Sequence, residues 1–252
     1  MSTWIFLRGL TRETRHWGDF PRFFQDEFPD DRIIALDLPG NGEFNALSSP
    51  LRIDKMASHC RKELARQGVL PPYCLLAMSM GGMVASAWAQ QHPREIEACV
   101  LINTSFNTFN SLDERMRPTA WPKLLRLVCT SNPRRREQLV FNLTSRLAEP
   151  PAGLLDQWVA WRQARPVRVQ NALRQLLAAA RFRAPATAPA WTLVLASAHD
   201  RLVNVQCSTE IARRWNCAIA THPTAGHDLP LDDGRWVARE IRAWLTSSSL
   251  RR

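Results

Sequence analysis

Tyr73-Cys74-Leu75-Leu76-Ala77-Met78-Ser79-Met80-Gly81-Gly82 carries six consecutive apolar residues into a serine and a pair of glycines. The run Tyr73–Met78 reads as a strand buried on both faces, and Gly82–Gln91, rich in small residues and followed by Pro93, reads as a helix. A serine at such a junction sits on a sharp turn that pushes its hydroxyl out over the sheet edge. Small residues are needed two positions before and after it, where strand and helix approach closely, and Ala77 and Gly81 supply them.

The pattern repeats on both sides of this stretch. Trp4–Leu7, Arg32–Leu38 and Ala98–Asn103 read as further strands, while His16–Phe28 and Ile53–Gln67 carry apolar residues at helical spacing. Strands apolar on both faces, alternating with helices, imply a mostly parallel sheet covered on both sides. From about Ser105 to Pro189 the strand signal disappears and proline-punctuated helical stretches replace it. Ala184–Ala190 reads as a linker back into the strand Trp191–Ala196, which is followed by a helix near Ser208–Trp215, a short strand Ala218–His222 and a last helix from about Arg235 to Leu245. The tail Thr246–Arg252 is expected to fray. The expected organisation is therefore an α/β core, 1–104 and 190–252, carrying a helical cap at 105–189.

A serine hydroxyl is a poor nucleophile at neutral pH and needs a base oriented by a carboxylate. In this architecture the order along the chain is serine, acid, histidine. His227, in Thr224-Ala225-Gly226-His227-Asp228, follows the last short strand and is the base candidate; His199 and His222 are rivals. Asp200 follows the strand Trp191–Ala196 and is the acid candidate. The alternative acid position, after the preceding strand, holds Asn103-Thr104 and no carboxylate. Asp228 reads as a loop or cap aspartate. Two N–H donors are needed for a developing oxyanion; the amides of Met80 and of Leu10, in the loop after the first strand, are the candidates.

These stretches resemble the α/β-hydrolase superfamily: Leu7-Arg8-Gly9, Asp37-Leu38-Pro39-Gly40-Asn41-Gly42, Ala77-Met78-Ser79-Met80-Gly81-Gly82, Asp200-Arg201-Leu202-Val203 and Gly226-His227. Members usually have Gly where this chain has Ala77, His-Gly at Arg8-Gly9 and Gly-His-Gly at Gly40-Asn41-Gly42. The resemblance implies a six-stranded sheet with a cap inserted before the acid-bearing strand, and a Ser79–Asp200–His227 triad. It needs no metal or organic cofactor. Arg8 is a candidate to reach a substrate anion, and Trp121, Leu124, Leu125, Trp158 and Trp161 are candidates to line an apolar substrate pocket.

Lys and Arg number 33 against 23 Asp and Glu, a net charge of +10. Between Ser105 and Ala190 there are 14 basic and 5 acidic residues, leaving 19 and 18 for the rest, so nearly all of the excess lies on the cap. A basic cap steers an acidic partner. Within the superfamily the chain resembles the esterases that act on pimeloyl-acyl-carrier-protein methyl ester in biotin synthesis, which implies docking of an acidic acyl carrier protein. A C–C bond hydrolase or lyase of the menaquinone type and a catalytically silent binding protein are the alternatives. The basic residues are not interleaved with aromatics as in a nucleic-acid binder. No apolar run is long enough to span a membrane, and the N-terminus reads as a strand rather than a signal peptide. The six cysteines form no C-x-x-C pair and read as reduced, buried thiols of a cytoplasmic monomer.

Overall fold

The computed structural model describes residues 1–249. Six strands form one sheet: β1 (Thr3–Leu7), β2 (Arg32–Leu36), β3 (Tyr73–Met78), β4 (Ile96–Ile102), β5 (Trp191–Ser197) and β6 (Ala218–His222). Their order is β2-β1-β3-β4-β5-β6, and every neighbouring pair is parallel. Ile5 lies between Ile34 and Leu75, and Val100 pairs Leu193. The chain steps from β1 to β2 in one direction and then to β3 in the other. The order thus reverses between β1 and β3, and the crevice beyond the carboxyl ends of those strands is where open α/β sheets bind ligands.

Alternation along the strands divides the core. Ile5, Leu7, Leu75, Ala77, Cys99, Leu101 and Val194 face one side, beneath α2 (Ile53–Arg66), α3 (Met80–Gln91) and α9 (Val205–Trp215). Trp4, Phe6, Leu76, Met78, Val100, Ile102 and Leu195 face the other, beneath α1 (Phe20–Glu27) and α10 (Leu229–Ser249). On that second side Phe6 stands edge-on to Phe24 at 5.1 Å and lies 5.2 Å from Trp17, pairs that each contribute about 0.5–1.5 kcal/mol beyond their buried area.

Between β4 and β5 come α4 (Leu112–Arg115), α5 (Trp121–Cys129), α6 (Pro133–Thr144), α7 (Leu154–Ala164) and α8 (Val169–Arg181). This stretch holds no strand among the described residues. Phe141, Leu154, Leu155 and Trp158 form a small core of its own.

Several boundaries differ from the sequence reading. His16–Phe28 is not one helix: a 3₁₀ turn at Thr14–Trp17 ends at Gly18, whose φ of 55° breaks the path before α1. The last helix begins earlier, at Leu229, with a kink at Asp233, and continues through Ser249. Residues 246–249 of the expected frayed tail are therefore helical, and 250–252 lie outside the described residues. Cys60, Cys74, Cys99 and Cys207 are buried free thiols, and burial pushes Cys60, Cys74 and Cys207 up to about 12. Cys129, on α5, is exposed instead. No described helix is long and apolar enough to cross a membrane.

Candidate active site

Ser79 caps the start of α3 with φ 55° and ψ −122°, a conformation that costs a non-glycine residue on the order of 1–3 kcal/mol. Its surroundings hold it there. The Ser79 amide donates to the Ile102 carbonyl at 2.8 Å, and its carbonyl accepts from the Gly82 amide and from Thr104 Oγ1 at 2.8 Å. The close approach inferred from the sequence is tight at Gly81, where a methyl group would stand 2.5 Å from the Leu7 carbonyl oxygen. The loop after β1 also comes near: a methyl on Gly9 would lie 3.0 Å from Ser79 Cβ. Gly9 and Met80 thus flank the serine from two strands' ends, and Met80 opens a helix whose first amides lack intrahelical partners.

Asp200 is buried after β5. Its Oδ1 accepts from the amides of Leu202 and Val203 at 2.7 and 3.0 Å. Its Oδ2 meets His227 Nδ1 at 2.7 Å. Both carboxylate oxygens are therefore committed, one to its own turn and one to the imidazole. His227 is buried at 4% exposure. Burial alone would lower its pKa, but the charge and hydrogen bond of Asp200, with the charge of Asp228, raise it above the usual 6.5. Among the described residues the Ser79 hydroxyl makes no hydrogen bond; such contacts are often long before substrate binds.

Asn103 ties these pieces together. It donates from Nδ2 to the His227 carbonyl at 2.8 Å and to Ser197 Oγ at 2.9 Å, and accepts at Oδ1 from the Ser197 amide at 2.9 Å. The position that offers no carboxylate in the sequence instead joins the ends of β4 and β5 to the histidine loop. His222 shapes the same loop, its Nδ1 accepting from the Ala225 amide at 2.9 Å, while His199 is exposed on the turn before Asp200. Asp232 accepts from the Gly226 amide at 2.7 Å and from the Arg146 amide at 2.9 Å, and the Asp228 amide donates to the Thr144 carbonyl at 2.7 Å. The end of α6 is fastened to the histidine loop in this way.

The candidate substrate residues lie in different surroundings. Arg8 does not face an open pocket: its guanidinium is buried and forms a two-pronged pair with Asp228, at 3.0 and 2.6 Å, under the Trp17 ring. Asp228, the loop residue that leads into α10, is also a buried ion-pair partner; burial would raise its pKa, and Arg8 brings it below the ordinary value. Trp158 is 2% exposed and packs with Phe141 and Leu155 under the Arg12 guanidinium, which suits the interior of the inserted helices rather than a pocket wall. Trp161 sits edge-on to His16 at 5.3 Å. Trp121 is 52% exposed on α5, where Leu124 and Leu127 turn partly inward and no residue is buried.

Burial and the charges of Arg12 and Arg8 hold His16 well below 6.5. Glu137, fully buried, accepts from Arg12 at 3.3 Å and from Arg162, so a second charged group bridges the loop after β1 to α6 and α7. Neither this cluster nor the Arg8–Asp228 pair has a local signature in the sequence; only Arg8's departure from the family pattern hinted at one.

Comparisons with known proteins agree with this fold. The esterase of Thermogutta terrifontis (malate bound) superposes with a TM-score of 0.74 at 19% identity, covering 98% of this chain and 90% of that one. The esterase RhEst1 of Rhodococcus sp. ECU1013 gives 0.71 at 20% identity, with 98% and 90% covered. At those identities the likeness is one of fold. Among curated sequences, the chain is 33% identical over 106 residues to the biotin biosynthesis bifunctional protein BioHC of Teredinibacter turnerae, a match covering 41% of this chain and 17% of that protein. It is also 33% identical over 94 residues to the 2-succinyl-6-hydroxy-2,4-cyclohexadiene-1-carboxylate synthase of Citrobacter koseri, covering 36% and 34%. Both matches span well under two thirds of those relatives. The family model described as Alpha/beta hydrolase family runs from residue 4 in β1 to residue 240 in α10, and the chain belongs to that family.

Proposed function

We propose that this protein hydrolyses carboxylic esters through Ser79, His227 and Asp200. The observation that carries the reading is the buried 2.7 Å contact of His227 Nδ1 with Asp200, set beside a serine held at positive φ on the end of β3. Asp200 fixes Nδ1 as the protonated nitrogen and leaves Nε2 as the base. Nε2 takes the Ser79 proton as the hydroxyl attacks the ester carbonyl. The amides of Met80 and Leu10 stabilise the oxyanion. The imidazolium then protonates the departing alcohol, and water, deprotonated by the same nitrogen, releases the acid and restores the serine.

Residues 105–189 act in this reading as a cap over the site. The substrate is an ester linked to an acidic carrier protein, the methyl ester of a biotin precursor. The partial likeness to the biotin biosynthesis protein and the basic excess of the cap support that finer assignment. The likeness to the Citrobacter koseri synthase supports a second reading, a C–C bond lyase using the same three residues.

The test is turnover of p-nitrophenyl esters of increasing chain length, then of a carrier-linked and a free methyl ester at two salt concentrations, alongside a vinylogous diketone. Ser79→Ala is expected to abolish turnover and labelling by a fluorophosphonate while leaving the fold intact. Undiminished turnover in Ser79→Ala ends the triad reading. Equal, salt-insensitive rates on free and carrier-linked esters end the docking part alone.

A further inference from the structure

Arg8 and Asp228 lie 220 positions apart and meet in a buried two-pronged ion pair. Their neighbours along the chain are the groups on which the proposed chemistry depends. Asp228 follows His227. Arg8 precedes Gly9, which approaches Ser79 closely, and Leu10, whose amide is a proposed oxyanion donor. The pair therefore forms a short crossbar between the loop after β1 and the loop carrying the base. Both ends are anchored: the Trp17 ring lies 4.9 Å from the Arg8 guanidinium, and the Asp228 amide is held by the Thr144 carbonyl. The pair is worth little as a substrate anchor, because both side chains are buried, at 3% exposure each, and the fork already takes both carboxylate oxygens.

We infer that Arg8 and Asp228 are a positioning pair, which keeps the oxyanion loop in fixed register with His227 and keeps the charge beside the imidazole near neutral. This rests on the serine-hydrolase reading above. The charged groups around His227 are Asp200 from the loop after β5, Arg8 and Arg12 from the loop after β1, and Asp228 and Asp232 on its own segment; α6 contributes the Thr144 carbonyl nearby. Asp228 stabilises the imidazolium and Arg8 opposes it, so the two act in opposite directions on the same ring. A lysine in place of Arg8 would keep the charge but lose the fork that fixes both oxygens.

The experiment follows the His227 imidazole by NMR titration in a Ser79→Ala background, with the resonance identified by its loss in His227→Gln, and follows ester kinetics in the parent. Arg8→Gln is expected to raise the imidazole midpoint and Asp228→Asn to lower it. The uncharged double variant, Arg8→Gln with Asp228→Asn, is expected to return it close to its starting value. Arg8→Lys is expected to leave the midpoint nearly in place yet lower kcat by about 10²-fold, the scale of a 1 Å misplacement, with KM little changed. Should either single variant fail to fold, the double variant and Arg8→Lys carry the test. Single variants that shift the midpoint in the same direction, or an Arg8→Lys protein with undiminished kcat, would overturn the inference. Because the titration needs no turnover, its result stands apart from whether Ser79 proves to be the nucleophile.

Discussion

Replacing Asp200 with Asn tests the proposed chemistry at its narrowest point, because the structure dictates which way the new amide must face. Asp200 Oδ1 accepts two backbone N–H groups, from Leu202 and Val203. An amide NH₂ turned toward those donors would leave two N–H groups facing a third, so the Asn carbonyl must take that side. The NH₂ is then presented to His227 Nδ1, which becomes an acceptor. The ring proton moves to Nε2, the nitrogen that should receive the serine proton. The side chain stays in place, the base is lost, and kcat is expected to fall on the order of 10⁴-fold, about 5.5 kcal/mol in barrier. A second effect accompanies it. Asp200 is the foremost group raising the His227 pKa against burial, so in the parent activity should fall as pH drops through a midpoint above 6.5, where the imidazole protonates and ceases to be a base. In Asp200→Asn the residual activity should have that acid limb at lower pH. The assay is p-nitrophenyl ester hydrolysis from pH 5 to 9, with circular dichroism to verify folding. A folded Asp200→Asn protein that retains more than about a tenth of the parental kcat would refute the assignment, since the wrong tautomer cannot support that rate.

Gly81→Ala places a methyl group 2.5 Å from the Leu7 carbonyl oxygen, a rigid backbone atom, so α3 must move off β1; a loss of about 1–3 kcal/mol is expected in thermal unfolding, together with a drop in kcat as Ser79 moves with the helix. Trp158→Ala removes a ring buried among Phe141, Leu154 and Leu155; the expected loss is about 3–5 kcal/mol in denaturant unfolding, whereas a change confined to KM would restore Trp158 to the substrate pocket.

The centre of the sheet was legible because β3, β4 and β5 are apolar on both faces, a pattern few other elements produce at six or seven residues. The strandless stretch between β4 and β5 was legible for the complementary reason, its lack of any such run. Ser79 could be read because it follows β3 directly, and the candidate acid and base, Asp200 and His227, because they lie in the loops that leave β5 and β6. What escaped the sequence was long-range and polar. Asn103 looks unremarkable at the end of β4, yet it holds two strand ends and the His227 carbonyl through ordinary amide groups. Arg8 and Asp228 have no shared period, and three strands separate β1 from β6; their partnership exists only because the loop after β6 runs back across the strand ends to the end of β1. The early start of α10 escaped because Leu229-Pro230-Leu231-Asp232-Asp233-Gly234 carries turn residues, and the kink at Asp233 lets them be helical on one side of it.

The charge count on the inserted helices shows the same limit from another direction. Fourteen basic residues there looked like a docking face, but the structure gives several of them inward work. Arg117 donates to the Asp200 carbonyl at 2.8 Å, Arg174 to the Ser49 carbonyl, and Arg162 to Glu137. The first two fasten the insertion to the core, Arg117 to the turn that carries Asp200, while Arg162 ties α7 to α6 within the insertion. Lys123 and Arg126 on α5, with Arg135 at the start of α6, are exposed instead. Net charge steers a partner from a distance whichever residues supply it, but only exposed cations can meet that partner's carboxylates without giving up a bond already made. In the proposed reading, an acidic carrier would find its contacts among the exposed cations, Lys123, Arg126 and Arg135 or Arg146, Arg168, Arg181 and Arg183, and not on the arginines that hold the insertion down.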